Sequence, residues 1–142
     1  TWHSRMPIVL EAVSPEKFTQ WVDEQNAIKV AAAAEASSDK SWSKDELMAK
    51  GEELYNTKCA ACHQIAGTGL PPAFPPLKGS PMVTGAIADH MNIVLNGKEG
   101  SAMQAWNSLN DLEIAAIITY ERNAWGNDSG DVIQPADVKN AR

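Results

Sequence analysis

Apolar and polar positions change rhythm twice along this chain. Met6-Pro7-Ile8-Val9-Leu10-Glu11-Ala12-Val13 is a β-branched, apolar run whose composition predicts a strand. Ser14, Pro15 and Glu16 come next as N-cap, N1 proline and first-turn acid, predicting a short helix to about Asp23. One strand and one helix cannot bury a core, so residues 1–24 read as the truncated end of a domain whose other elements are missing. Residues 25–43 hold Ala31 to Ala34, Ser37 and Ser38 with almost no large apolar side chain, which predicts a flexible linker, partly helical through its alanines. Trp42 is the exception and is expected to tuck against the next domain.

From residue 44 the rhythm is helical. Ser43 is a candidate N-cap, Asp45 and Glu46 complement the helix dipole, and Leu47, Met48, Gly51, Leu54 and Tyr55 recur on one face. Gly67 to Leu77 carries four prolines and two glycines, so it predicts an irregular loop held by something other than its own ladder. A second helix is expected from about Gly85 to Leu95, with Ile87, Met91, Val94 and Leu95 on one face and Asn96-Gly97 as its stop. Asn110 with Glu113 opens a last helix, Ile114, Ile117 and Ile118 line it, and Gly126 closes it. Residues 44–126 thus form the folded unit, and residues 127–142 are a C-terminal tail.

The net charge of −6 argues against a nucleic-acid partner, which would need a basic surface. No apolar run approaches the roughly 20 residues that span a bilayer. The opening at Thr1, without a signal peptide, reads as a cut inside a longer protein, with any targeting or membrane segment upstream.

Cys59-Ala60-Ala61-Cys62-His63 carries the chemistry. Cys-x-x-Cys-His is the attachment pattern of a c-type haem. The two thiols add across the vinyl groups on one side of the macrocycle, and the adjacent histidine offers the iron a neutral imidazole nitrogen. Three other readings compete. A redox dithiol wants a βαβ context, and a zinc site wants four ligands. A disulfide here would close a very small loop and stabilise little. A unit of about 80 residues built from short helices has a thin core, which a haem would thicken.

Met82, His90, Met91 and Met103 are the candidates for the second axial position. Met91 lies on an amphipathic face and reads as core; Met82 reads as lining the haem edge. His90 would give bis-histidine ligation but reads as a hydrogen-bonded or solvent-facing residue of its helix. Met103 is the best choice, because the non-periodic loop Lys98 to Trp106 gives it no packing role. His63 with Met103 would fill both axial positions, favour the ferrous state and leave single-electron transfer as the chemistry. The carbonyl of Pro75 is free to accept from the other imidazole nitrogen of His63. Pro75 and Trp106, with Cys59 and Cys62, make up the expected cofactor-binding set.

Cys-x-x-Cys-His, Pro75-x-Leu77, Met103 before Trp106, Gly51 with Tyr55, and Ile117 with Tyr120 together resemble class I cytochrome c. The resemblance covers residues 44–126 and implies an all-α fold around one covalent haem c. It also implies that a glycine lets the first and last helices cross closely. Gln104 departs from the family, many members of which carry proline there.

His3-Ser4-Arg5-Met6-Pro7-Ile8-Val9 resembles the last copper-binding turn of cytochrome c oxidase subunit II, and Thr119 to Asn127 resembles the ending of bacterial subunit II proteins with a fused cytochrome c. This second resemblance implies that residues 1–24 are the end of a cupredoxin domain. Its CuA centre would exist only in the full-length parent, with His3 and Met6 as remnant ligands that cannot bind copper alone. It further implies a membrane-anchored parent on the periplasmic side of the bacterial inner membrane. There the haem would relay electrons from a donor cytochrome c or quinol-oxidising complex to CuA and the oxidase core. The fragment itself would be a monomeric electron-transfer domain, and the parent complex the enzyme. Two alternatives stand beside this reading: a freestanding periplasmic shuttle, and a peroxidase or gas sensor with an open axial position.

Overall fold

The structure, a computed structural model, describes residues 10–36 and 40–142. It divides into two compact units, Thr1–Ala34 and Glu35–Arg142. In the first, residues 10–14 have no regular structure and lead into helix α1 (Pro15–Ala36). The strand expected over residues 6–13 does not form at Leu10 to Val13, where no second strand offers a ladder. Its earlier residues, with His3 and Met6, lie outside the described part. The helix expected to stop near Asp23 continues through the alanines, which have the highest helix propensity, with no glycine or proline to interrupt them. Phe18 and Trp21, one turn apart on α1, stack with ring centroids 6.0 Å apart.

The second unit holds α2 (Lys44–Lys58), α3 (Ala60–His63), α4 (Pro81–Thr84), α5 (Ile87–Asn96), α6 (Asp111–Asn123) and α7 (Pro135–Ala141). Among the described residues there is no strand, only a single bridge between Leu70 and Phe74, and the fold is all-α. Capping boxes set the starts of both long helices. Ser43 Oγ accepts from Glu46 N while the Glu46 carboxylate accepts from Ser43 N, and Asn110 and Glu113 repeat the exchange on α6.

α2 crosses α6 at Gly51. A Cβ there would overlap the carbonyl oxygen of Ala116 and lie 2.6 Å from Tyr120 Cβ, so only glycine permits this approach. The close partners are Ala116 and Tyr120; Ile117 is buried on the same helix. Below the crossing, Tyr55, Tyr120 and Trp125 form an aromatic cluster with centroids 4.9–5.5 Å apart. Above it, Trp42 packs with Leu47, Leu112 and Ala116, and its backbone N and O both bond to the Gln134 side chain.

Three further expectations need correction. The helix predicted from Gly85 begins at Ile87, because the turn before it is captured by Arg122. Arg122 is buried on α6 and donates to Val83 O and Gly85 O while pairing with Asp131, so those carbonyls have partners outside any helix. The segment 127–142 is not a loose tail: Ile133 and Val138 are buried against Met91, Val94, Leu95, Ile114 and Ile118. The helix α6 ends at Asn123, and Gly126, with φ of 87°, belongs to the turn after it.

Candidate functional site

The apolar stripe of α2 ends at Tyr55, and the chain bends at Cys59, which caps both α2 and α3. Cys62 N and His63 N both donate to Cys59 O, so the pentapeptide is one helical turn. Residues three apart on such a turn share a face, which places both thiols for the same body. Gln64, with φ of 62°, ends the turn. Both cysteines are free; Cys59 packs beside the Tyr55–Tyr120–Ala124 cluster and Cys62 is exposed.

Burial, and next the negative charge of Glu121, push the Cys59 thiol well above its ordinary range. A redox dithiol needs the opposite shift, because the thiolate is its nucleophile. Among the described residues no group of three or more His, Cys, Asp or Glu is placed to hold a metal ion. A thioether would need no ionised sulfur.

His63 Nδ1 lies 3.1 Å from Pro75 O. A carbonyl only accepts, so Nδ1 carries the proton and Nε2 keeps a lone pair. No described residue hydrogen-bonds to Nε2. Pro75 is held in place by a loop that borrows its hydrogen bonds from outside. Tyr55 Oη donates to Gln64 O at 2.7 Å, Trp125 Nε1 donates to Ile65 O at 3.0 Å, and Asn127 reaches both Leu77 O and Gly79 N. Gly67 lies flat on the Trp125 indole, where a Cβ would come within 2.6 Å of the ring. Gly67 O in turn accepts from Leu77 N and Lys78 N. Tyr55, Trp125 and Asn127 have these roles only through tertiary contact, and sequence reasoning missed them; the aromatic pair Tyr120 and Trp125 at the end of α6 was the available signal.

Met103 lies on a separate loop after α5. Lys98 N donates to Met103 O, Trp106 N donates to Val94 O, and Gly97 leaves the room that Met103 O occupies. Met103 is half-buried. Trp106 is seen against the Met91–Val94–Leu95–Ile114 core. Of the other axial candidates, Met91 is core, Met82 is 45% exposed on α4, and His90 is buried with its Nε2 engaged by Glu121. The structure thus brings Cys59, Cys62, His63 and Pro75 together on one turn and its adjoining loop, with Met103 and Trp106 on another.

The surface beside that turn is unusually apolar. Ile65 is 72% exposed and Leu70 51%. From Ala60 to Ala88 the only Lys, Arg, Asp or Glu is Lys78. Two thiols on one face, an imidazole with a free lone pair and a thioether suit a macrocycle that carries a metal.

The all-α fold is that of a class I c-type cytochrome, whose chemistry is electron transfer. Residues 46–120 match the family described as cytochrome c oxidase, cbb3-type, subunit III, and the chain belongs to this family. The cytochrome c subunit of a quinone alcohol dehydrogenase from Gluconobacter oxydans is 33% identical over 103 residues, 65% of this chain and 22% of that protein. Its counterpart from Komagataeibacter europaeus is 31% identical over the same length. Cytochrome c-552 from Thermus thermophilus is 34% identical over 94 residues, 55% of this chain and 70% of that protein. The chain therefore spans about a fifth of the dehydrogenase subunits it matches. Cytochromes of this family carry covalently bound haem c, and this chain has just two cysteines with which to hold it.

Proposed function

We propose that this chain transfers single electrons through a haem c bonded to Cys59 and Cys62, with His63 Nε2 and Met103 Sδ as axial ligands. When bound, the haem supplies a one-electron couple raised in potential by the thioether. Pro75 O fixes the His63 ring and its tautomer, and this contact is the observation that carries the reading. With His63 and Met103 both holding the iron, dioxygen and peroxide would find no open site, which would separate an electron carrier from a peroxidase or gas sensor. Met103→Ala should abolish the methionine–iron charge-transfer band and lower the potential, with the haem still attached. A band that survives would assign the ligand to Met82 or Met91.

At a finer level, we read the domain as a relay to the CuA centre of a parent oxidase subunit on the periplasmic side of the bacterial inner membrane. Support comes from the resemblance of residues 3–9 and 119–127 to subunit II, with His3 and Met6 as remnant CuA ligands; the family the chain matches is a different oxidase subunit, subunit III of the cbb3 type. None of the described helices is long and apolar enough to cross a membrane. The similarity to cytochrome c-552, of which most is covered, supports the freestanding shuttle equally. A dehydrogenase or quinol-oxidising complex fits as donor, given the dehydrogenase cytochrome subunits among the relatives. Oxygen uptake by the parent complex decides: removing residues 44–142 should abolish turnover with the natural donor while sparing reductants that feed copper directly. Unchanged turnover would favour the shuttle.

A further inference from the structure

The turn that follows α6, Trp125 to Asn127, grips the haem attachment loop from outside at two places. Trp125 Nε1 donates to Ile65 O at 3.0 Å, two residues past His63. The Asn127 side chain donates to Leu77 O at 3.3 Å, two residues past Pro75, and accepts from Gly79 N at 2.7 Å. His63 and Pro75 are the two partners of the imidazole–carbonyl hydrogen bond. One short turn therefore holds both partners of that bond, each at the same distance along the chain.

The grip falls where the loop needs it. Pro75 and Pro76 are exposed and have no N–H with which to tie themselves down, so neighbours along the chain set where the Pro75 carbonyl lies. Leu77 is the first residue past Pro75 with an amide hydrogen to offer. Inside the loop, Gly69 N donates to His63 O and Leu70 exchanges two bonds with Phe74, which closes the middle. The carbonyls of Ile65 and Leu77, at its rims, go to the turn.

The turn is itself fixed to the end of α6. Asn127 N donates to Ala124 O, and Asn127 Nδ2 donates to Glu121 O at 2.6 Å, so both amide hydrogens and the amide oxygen of this side chain are in use. Trp125 has φ of 59°, a left-handed backbone that a bulky side chain adopts only at a cost. Strain of this kind persists where the surrounding contacts over-determine it. Here it lays the indole on Gly67 and aims Nε1 at Ile65.

We propose that Trp125 and Asn127 are positioning residues that tune the reduction potential through His63. By holding Ile65 and Leu77, they keep the Pro75 carbonyl on the His63 Nδ1–H. A carbonyl that accepts from Nδ1–H makes Nε2 a stronger electron donor to the iron, which favours the ferric state and lowers the potential. Releasing either grip lets the carbonyl drift and weakens that donation, so the potential rises.

This role rests on the haem ligation proposed above, and the two fail in different ways. The ferrous holoprotein with labelled histidine is examined first by NMR. His63 ring protons without the large shift that a haem ring current imposes would overturn the ligation, and the role of the turn with it. Spectroelectrochemistry and solvent exchange of the His63 Nδ1–H are then measured in Trp125→Phe, which keeps an aromatic ring but loses the N–H, and in Asn127→Ala. Each should favour the ferrous state about threefold, roughly 30 mV at 59 mV for each factor of ten. Each should also speed exchange of the Nδ1–H about tenfold. Val138→Ala, which loosens the core away from this loop, is the control and should move neither. Should Asn127→Ala fail to fold, Trp125→Phe decides by itself. A wild-type haem-shifted His63 signal together with an unchanged or lowered potential in Trp125→Phe overturns the role of the turn and leaves the ligation standing. Equal shifts in Val138→Ala overturn it too, since any loss of stability would then produce them.

Discussion

Glu46 shows how much one exposed side chain can organise. It accepts from Lys40 Nζ at 2.7 Å, from the Ser43 hydroxyl at 2.7 Å and from Ser43 N at 2.9 Å. Those bonds, the one from Lys40 first, hold its carboxyl down at about 2. A depressed carboxyl stabilises the fold above the unfolded value, near 4.5, and that contribution drains away as pH falls toward about 2. Glu46→Gln should therefore cost stability at neutral pH and show a shallower loss across that acid window, read from chemical denaturation at several pH values. Ser43→Ala removes the reciprocal bond and should cost about 1 kcal/mol. Both caps were legible in the sequence because each uses residues three apart. Pro75 as partner of His63 was legible too, since a proline carbonyl near a haem motif has no ladder to join. The Glu121 partner of His90 was not, because nothing local joins residues 31 apart.

At the scale of elements, the sequence marks helices by their own stripes and loses those that exist through others. α2 and α6 announce themselves with caps and apolar faces, and so does α5 apart from its first turn. α7 does not: seven residues with one buried valine read as a polar tail until Ile133 and Val138 meet α5 and α6. The break before α5 was equally hidden, since Arg122 makes it from another helix. The α2–α6 crossing concentrates the risk at Gly51. Gly51→Ala places a methyl against backbone oxygen rather than a flexible side chain, so it should cost about 3 kcal/mol or more. Thermal unfolding of the holoprotein checks this, and a loss below about 1 kcal/mol would mean the helices separate at little cost. Val138→Ala should cost roughly 2–3 kcal/mol if α7 is part of the core, and almost nothing if it were a tail.

For the whole molecule, the contrast between a charged exterior and the nearly uncharged stretch from Ala60 to Ala88 sets how partners are met. Contact through Ile65, Leu70 and Met82 predicts electron exchange whose rate varies little with ionic strength, because few charges are there to be screened. Ile65→Lys should slow exchange with the redox partner about tenfold in rapid-mixing experiments, without altering the absorption spectrum. A steep salt dependence in the wild type would place the contact elsewhere. The clasp between Trp42 and Gln134 has a consequence of another kind. Ninety-two positions apart, these residues sit side by side, so the segment that enters α2 is tied to the segment that leads into α7. Such a tie closes the fold across most of its length, and fraying on either side, at residue 42 or at α7, must break it first.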